Sequence, residues 1–142
     1  MQNYANHTRT DPGYHMVLFP ILLLTFVGSC VNFTLSVGDH QRFYSASLIL
    51  VLAACSVGLC LYARLYPLRA QDRAIRAEEN LRHYVLTGKL LDPRLSVRQI
   101  VALRFASDAE FPALAARAAE GSLPPKEIKQ AIQNWRADEY RV

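Results

Sequence analysis

The side chains that most often carry chemistry, histidine and cysteine, occur in this sequence without forming a recognisable site. His15 and His40 lie on either side of an apolar stretch, and either could ligate a haem or a chlorin in a larger complex. A single histidine at each end is a weak pattern, so the sequence predicts no bound cofactor and no metal. None of the cysteines has C-x-x-C spacing, and we interpret them as small apolar residues: Cys30, Cys55 and Cys60.

Sequence motifs for catalysis or nucleic-acid binding are also lacking. The chain has no Walker A loop, no dinucleotide fingerprint, no nucleophile elbow and no zinc-protease motif. The adjacent Glu78 and Glu79 diverge around a helix, which indicates a solvated face rather than an acid–base pair. A helix-turn-helix around Ser107 would read DNA with the helix over 109–120, but that helix is net negative and unsuited to phosphate contact. We therefore expect neither an enzyme nor a nucleic-acid-binding protein.

Charged residues make up 20% of the chain but are nearly absent from two long stretches, 16–37 and 44–66. About 20 residues of helix cross a hydrocarbon core of roughly 30 Å, and both stretches reach that length. The polar link 38–41 is so short that the two helices must run antiparallel. The sequence thus predicts an all-α membrane protein, in which a two-span helical hairpin is followed by a cytoplasmic juxtamembrane helix and a small helical bundle.

A cleaved lipoprotein signal is the alternative for the first stretch, because 27–30 (VGSC) resembles a lipobox. The apolar run continues through Val37, beyond that cleavage position, and the preceding segment is long, with Arg9 offset by Asp11. Signal peptides favour a positive start and a short apolar region. These features favour a span that is retained.

The distribution of arginine predicts which side of the membrane each segment occupies, since Lys and Arg near span ends favour the cytoplasm. The N-terminal arm 1–15 has one arginine, whereas several follow the hairpin 16–66. We therefore place both termini, and the whole region 67–142, in the cytoplasm. Three arginines are expected to contact anionic lipid headgroups, at about 1 kcal/mol each near the surface. They are Arg64, Arg69 and Arg73.

Small and polar residues at helical spacing predict the surfaces on which the spans pack. Small residues let backbones approach, and Ser, Thr and Asn can hydrogen-bond across a contact. We expect these two faces to pack on each other, with oligomer formation through one of them as the sharper hypothesis. The predicted helix-packing residues are Thr25, Gly28, Ser29, Asn32 and Ser36 in the first span and Ser47, Ala54 and Gly58 in the second.

The region 67–142 begins with a charged helix over 68–86, which Gly88 stops. On this helix Glu78 and Arg82 have the spacing of an ion pair. A modest apolar stripe comprises Ala74, Ala77, Leu81, Tyr84 and Val85.

Three shorter helices follow in the sequence. Ser96 can cap the first, Ser107 with Glu110 has the spacing of a capping box for the second, and Pro125 opens the third. About 50 residues make a marginal core, so we expect this bundle to lean on the juxtamembrane helix, a second copy or a partner. We assign partner contacts to Phe111 on the second helix and to Ile128 and Trp135 on the third.

Five stretches of the sequence are QNYANH at 2–7, QDRAIRAEENLR at 71–82, LTGKLLD at 86–92, QIVALRFA at 99–106 and IQNWRAD at 132–138. They resemble a bacterial family of uncharacterised small membrane proteins, and the similarity covers essentially the whole chain. The resemblance implies two spans in a bacterial inner membrane and carries over no activity.

Together these features favour a non-enzymatic inner-membrane scaffold or interaction protein. Its expected partners are the lipid bilayer, anionic lipids, and either itself or a larger membrane-protein complex, but not nucleic acid. The alternative is an accessory subunit of a larger transport or energy-transducing complex, with or without a pigment or haem. Neither span has an Asp, Glu, Lys or Arg in its interior, which argues against an ion-coupled carrier acting alone.

Overall fold

The computed structural model describes residues 3–6 and 10–138, and among them every regular element is a helix. The chain divides into two compact units, one over Thr10–Tyr66 and the other containing Pro67 and the residues that follow it. The all-α part of the predicted fold class is confirmed. His7 and Arg9, used in the arguments above, lie outside the described residues, as do residues 139–142. The helices are a π-helical segment over Gly13–Leu18, α1 over Phe19–Leu35, α2 over His40–Thr87, α3 over Val97–Leu103, α4 over Phe111–Glu120 and α5 over Pro125–Ala131.

The first unit is an antiparallel pair formed by α1, with the segment before it, and the first part of α2. Near the turn, the ring centroids of Phe33 and Phe43 lie 4.9 Å apart. At the other end, the hydroxyl of Tyr14 donates to the backbone carbonyl of Cys60 at 2.9 Å. The reversal uses Gly38, whose φ of 100° would strain any residue with a side chain.

The contact between the two helices follows a seven-residue repeat. Ser29 of α1 is buried, and so is Ser36 directly after it; Phe26 and Phe33, each three residues before one of these serines, are half-buried. In the first part of α2, up to Tyr66, the buried residues are small: Ala46, Ala53 and Cys60. Large side chains from one helix thus lie near small ones from the other, at the spacing of a coiled-coil seam.

This seam is rotated from the face that residue type predicted. Of the predicted helix-packing residues, Ser29 and Ser36 are buried, Ser47 and Gly58 are half-buried, and Thr25, Gly28, Asn32 and Ala54 are exposed. Four of the eight residues predicted to pack between the two helices therefore lie outside that contact. The reason is that the contact face of α1 combines serine with phenylalanine. Small size and polarity therefore do not identify this face and favour a neighbouring one.

Every serine and threonine hydroxyl between residues 25 and 56 donates a hydrogen bond to a carbonyl of its own helix, three or four residues earlier in the chain. These seven bonds are 2.7 to 3.1 Å long, and none bridges the two helices. Such back-bonding satisfies the hydroxyl locally. The donors are Thr25, Ser29, Thr34, Ser36, Ser45, Ser47 and Ser56.

The outer surface of the helix pair is strongly apolar. Two helical segments are long and apolar enough to cross a membrane, Gly13–Leu35 and His40–Thr87. In the apolar windows of these segments only 6% and 17% of the residues are buried. Large hydrophobic side chains are therefore uncovered along both, among them Leu24, Val51, Leu52 and Leu59.

Helix α2 is longer than the sequence predicted. Its 48 residues include Pro67, which we expected to end the second span or to kink it into the next helix. A proline costs a helix one backbone hydrogen bond, and no further proline or glycine follows it before Gly88. The helix does end at Gly88 as predicted, because that residue adopts a φ of 71° and its N–H donates to the carbonyl of Tyr84 at 2.7 Å.

The second unit contains three short helices around one hydrophobic core. Helix α3 packs on both α4 and α5. Leu91 and Leu95, from the connection after α2, belong to the same core. The largest fully buried side chains are Leu103, Phe105, Phe111 and Ile128.

The helix starts of the second unit follow local sequence signals only in part. Ser96 caps α3 as predicted, and Gln99 completes a capping box that was not predicted from the sequence. Helix α4 begins later than Ser107, at Phe111, and has no side-chain cap. The residue after Phe111 is a proline, which lacks an N–H and therefore suits the first turn of a helix.

Helix α5 ends at Ala131, so Trp135 does not lie on it as predicted. Ile132 is extended, and Trp135 instead pairs with Ala106 in an isolated β-bridge. The carboxylate of Glu110 accepts hydrogen bonds from the backbone N–H groups of residues 133 and 134, at 3.2 and 3.1 Å. These contacts satisfy donors that a longer helix would have satisfied internally.

Candidate functional site

The residues brought together by the second unit are charged, and we call them the ionic cluster. The part of the chain that the structure describes contains no group of three or more His, Cys, Asp or Glu side chains that could hold a metal ion. The cluster lies where the end of α2 meets the α3–α4 connection and the segment after α5. Its members are Glu79, Arg82, Arg104, Asp108, Arg136 and Asp138.

Arg82 is the centre of the ionic cluster. Its Nη1 lies 2.9 Å from a carboxylate oxygen of Glu79, and its Nε donates to Asp108 at 2.7 Å. Its Nη2 donates to the backbone carbonyl of Ala106, also at 2.7 Å. The guanidinium stands over the ring of Phe111, 4.5 Å from its centroid. One side chain of α2 thereby holds both the α3–α4 connection and the first residue of α4.

Glu79 is the buried acid of the ionic cluster, with 5% of its surface exposed. Burial raises the pKa of Glu79 above the ordinary glutamate value, while the hydrogen bond from Arg82 acts in the opposite direction. Arg136 adds a longer contact, 3.8 Å from the other carboxylate oxygen. The carboxylate is thus flanked by two guanidinium groups in a largely dry environment.

A second ion pair lies beside the first. The Nε of Arg104 is 2.9 Å from a carboxylate oxygen of Asp138, and its guanidinium lies over the ring of Phe105 at 4.7 Å. A cavity of about 250 Å³ opens beside these ion pairs. Three acids and two arginines contribute to its lining, namely Glu78, Glu79, Asp138, Arg104 and Arg136, so charges of both signs face the cavity.

The chemistry of the ionic cluster is that of a structural clamp. Its acids form ion pairs with arginines, and its arginines also stack on aromatic rings of the core. Sequence reasoning missed the cluster in two respects. Glu79 was assigned to a solvated face but is buried, and Arg82 was paired with Glu78 but pairs with Glu79 and Asp108. The available signal was that neighbouring residues of a helix point in different directions, so only one of two adjacent acids can lie on the buried face.

The opposite face of the same helix is uncovered. The apolar stripe predicted on the juxtamembrane helix faces away from the bundle, and its large members Leu81, Tyr84 and Val85 are 63%, 53% and 75% exposed. Bundle contacts come instead from the face that carries Ile75 and Glu79. The bundle therefore packs on the juxtamembrane helix as expected, but it contacts the charged face of that helix and not the apolar stripe.

The three predicted partner contacts lie in or against the core. Phe111 and Ile128 are fully buried, so their side chains pack within the unit and are not available to a partner. Trp135 is half-buried, and its ring lies 5.0 Å from that of Phe105. A partner contact at Trp135 stays a prediction, whereas the other two positions are core residues.

The arginines predicted to meet lipid differ in their surroundings. Arg69 and Arg73 are exposed. Arg64 is half-buried, and its guanidinium carbon lies 6.0 Å from the centroid of the Tyr14 ring. Contact with anionic lipid stays a prediction for all three.

Comparison with protein families gives a match along the chain. The model of a family of unknown function, DUF6526, matches residues 1–142. No curated protein and no solved structure matches the chain. The match covers every residue of the sequence, from the apolar helix pair to the clamped helical unit. The chain therefore belongs to the family of unknown function DUF6526.

Proposed function

We propose that this chain is a two-span protein of a bacterial inner membrane whose cytoplasmic helical unit serves as a non-enzymatic scaffold or interaction module. The observation that carries the proposal is the combination of an uncovered apolar helix pair with a charged unit that has its own core. Apolar surface of this extent is favourably removed from water, and a bilayer would cover it. The helix pair then anchors the chain in the membrane, and the charged unit is held at the membrane surface, where it can contact partners.

The distribution of charge supports an orientation with both termini in the cytoplasm. Arg69 and Arg73 are exposed immediately after the apolar part of α2, where positively charged residues favour the cytoplasmic side. The turn between the helices has one arginine, Arg42, which pairs with Asp39 at 3.3 Å. We expect this turn to face the periplasm.

A labelling experiment tests both insertion and orientation. With the three native cysteines replaced by alanine, a single cysteine is introduced by Gln41→Cys in the turn or by Lys126→Cys on α5, both of which are exposed positions. In intact spheroplasts a membrane-impermeant maleimide should label only Gln41→Cys. Labelling of Lys126→Cys without lysis would contradict the orientation, and release of the chain by alkaline carbonate would contradict insertion.

The scaffold role is supported by what the charged side chains do. Glu79, Arg82 and Arg104 are occupied by one another, by Asp108 and Asp138, and by core aromatic rings. Groups held in this way position helices, which supports a structural role for the ionic cluster. The expected activity is therefore the display of a folded surface.

The alternative is an accessory subunit of a larger membrane complex, and one observation favours it. Thr25, Gly28 and Asn32 form an exposed face of α1 that the helix pair leaves uncovered, and small and polar residues are common where spans of different chains pack. Gentle detergent extraction followed by native mass measurement separates the two functions. Copies of this chain alone support the scaffold, whereas larger subunits or a coloured cofactor at fixed stoichiometry would replace it with the accessory role.

A further inference from the structure

The uncovered face of α2 in the second unit has the residue spacing of a two-stranded coiled coil. Its exposed apolar residues recur at steps of four, three, four and three, the pattern of alternating a and d positions. They are Ala70, Ala74, Ala77, Leu81 and Tyr84, and all are exposed. We call this face the α2 seam.

The other side of the helix is already occupied by the bundle. Ile75, Glu79 and Arg82 fall at positions b, f and b of the same repeat, on the side away from the α2 seam. The bundle thus leaves the a and d positions exposed, together with Arg73 at g and Glu78 at e. The next g position, Asn80, is half-buried and accepts a hydrogen bond from the backbone N–H of Leu91 at 2.9 Å, so it marks the edge of the free face. A helix covered on its charged side and bare on its apolar side is the reverse of an ordinary surface helix.

The charges beside the α2 seam are complementary to a second copy in parallel orientation. Arg73 occupies a g position and Glu78 the e position five residues later. In a parallel pair, a g residue of one helix faces the e residue of the following heptad on the other. Arg73 would therefore meet Glu78 of the partner subunit, and the two-fold axis would create the same contact twice. Both residues are exposed, and neither forms an ion pair with another described residue of its own chain.

We propose that a second copy of this chain docks in parallel on the α2 seam and forms a short coiled coil from Ala70 to Tyr84. The inference rests on the proposed function in one respect, since two copies inserted in one membrane with the same orientation present their α2 helices in parallel. The small alanines let the helices approach, while Leu81 and Tyr84 supply larger contacts farther along. Two heptads form a weak coiled coil in solution, and membrane anchoring raises the effective concentration that stabilises it.

Cross-linking of the purified full chain in lipid vesicles tests the docking, because only copies of this chain are then present. In a background with alanine at the three native cysteine positions, Ala77→Cys places a thiol at a d position and Arg76→Cys at the neighbouring c position. Mild oxidation should join Ala77→Cys into a disulfide-linked dimer at several times the yield of Arg76→Cys. Equal yields, or no dimer from Ala77→Cys, would overturn the proposal.

A charge exchange tests the orientation and the identity of the contact. Arg73→Glu and Glu78→Arg each create two like-charge contacts in the parallel dimer and should lower the yield of the Ala77→Cys dimer by about tenfold. The double variant restores opposite charges and should return the yield to near that of the parent. Failure of the double variant to recover would show that the two residues do not meet. If Arg73 acts by binding anionic lipid instead, the double variant should not recover the dimer yield, so the experiment distinguishes lipid binding from the Arg73–Glu78 contact.

The same experiment distinguishes a failure of membrane insertion from a failure of docking on the α2 seam. Vesicles are washed with alkaline carbonate before oxidation. A chain that washes off contradicts membrane insertion, whatever its cross-linking. A chain that stays in the vesicles but gives no dimer contradicts only the α2 seam.

Discussion

Arg82 contacts Glu79, Asp108 and the core ring of Phe111, so its loss should cost more than the loss of a surface ion pair. Arg82→Met preserves much of the side-chain length but leaves the carboxylate of Glu79 buried, with Arg136 as its remaining cation. Removing one partner of a buried ion pair costs about 3 to 5 kcal/mol. We expect the free energy of unfolding of the second unit to fall by about 3 kcal/mol, measured by amide hydrogen exchange of the detergent-solubilised chain.

The matched control for this substitution is Arg76→Met. Arg76 lies on the same helix but is exposed and outside the ionic cluster. Its loss should change the free energy of unfolding by less than about 0.5 kcal/mol. Similar effects of the two substitutions would mean that the ionic cluster does not stabilise the unit.

The raised pKa of Glu79 predicts a pH dependence of stability with a definite sign. Because burial raises its pKa, the folded state holds more protons than the unfolded state between the ordinary glutamate value, about 4.3, and the raised value. The contribution of Glu79 to stability is therefore greatest below that window and falls as the pH rises through it. Relative to Glu79→Gln, the wild type should lose stability as the pH rises above about 4.5, measured by hydrogen exchange corrected for intrinsic rates.

Asp92 contributes with the opposite sign and in a separate range. Hydrogen bonds from Arg94 lower the pKa of Asp92 to about 2. The stabilisation it provides is complete above the ordinary aspartate value and is lost only as the pH falls toward 2. The comparison of wild type with Glu79→Gln above about pH 4.5 is therefore free of the Asp92 titration. A constant difference across that range would show that the pKa of Glu79 is not raised.

Local signals predicted helix ends better than helix faces. Gly88 marks the helix end and Ser96 the helix start that the sequence predicted, because each acts through backbone geometry or a neighbouring N–H. Faces depend on which element lies opposite, and the sequence does not contain that information. The burial of Glu79 and the end of α5 before Trp135 both result from contacts between segments distant in the chain.

Two serines of the second unit form a matched pair for testing helix caps. Ser96 accepts from the backbone of Gln99 in a capping box, whereas the buried hydroxyl of Ser107 has no hydrogen-bond partner among the described residues. Ser96→Ala should lower the free energy of unfolding by about 1 kcal/mol. Ser107→Ala should be neutral or slightly stabilising, because it removes a buried polar atom. Chemical denaturation in detergent measures both, and a larger loss from Ser107→Ala would show that its hydroxyl is engaged.

In the apolar helix pair, Gly58 and Leu50 distinguish contacts within the chain from contacts between chains. A Cβ at Gly58 would meet nothing within 4 Å, whereas Leu50 is half-buried on the face of α2 that carries Ala46 and Ala53 and packs against α1. Gly58→Leu should therefore leave the helix pair intact and disrupt only an assembly that uses that face. The measurement is native mass in mild detergent, with Leu50→Ala as the comparison. Loss of oligomers from Leu50→Ala alone would contradict an assembly through the Gly58 face.

The molecule as a whole is divided between an apolar unit and a charged unit, and the sequence predicted that division. Long uncharged stretches are visible without tertiary information, whereas the ionic cluster and the α2 seam required the fold. The division predicts that the full chain needs detergent or lipid to stay dispersed. Size-exclusion chromatography in plain buffer should show aggregation, and a dissolved compact monomer there would contradict membrane insertion.

The seven hydroxyl groups that bond to their own helices limit what the apolar unit can recognise. A hydroxyl proton committed to a carbonyl of the same helix offers no donor to a neighbouring chain, so at these positions only the oxygen lone pairs and the shape of the surface are left for recognition. These seven positions therefore add little selectivity to lateral encounters in a bilayer. Discrimination among partners then falls to the water-exposed part of the chain, which can be exchanged or mutated without altering how the protein is held.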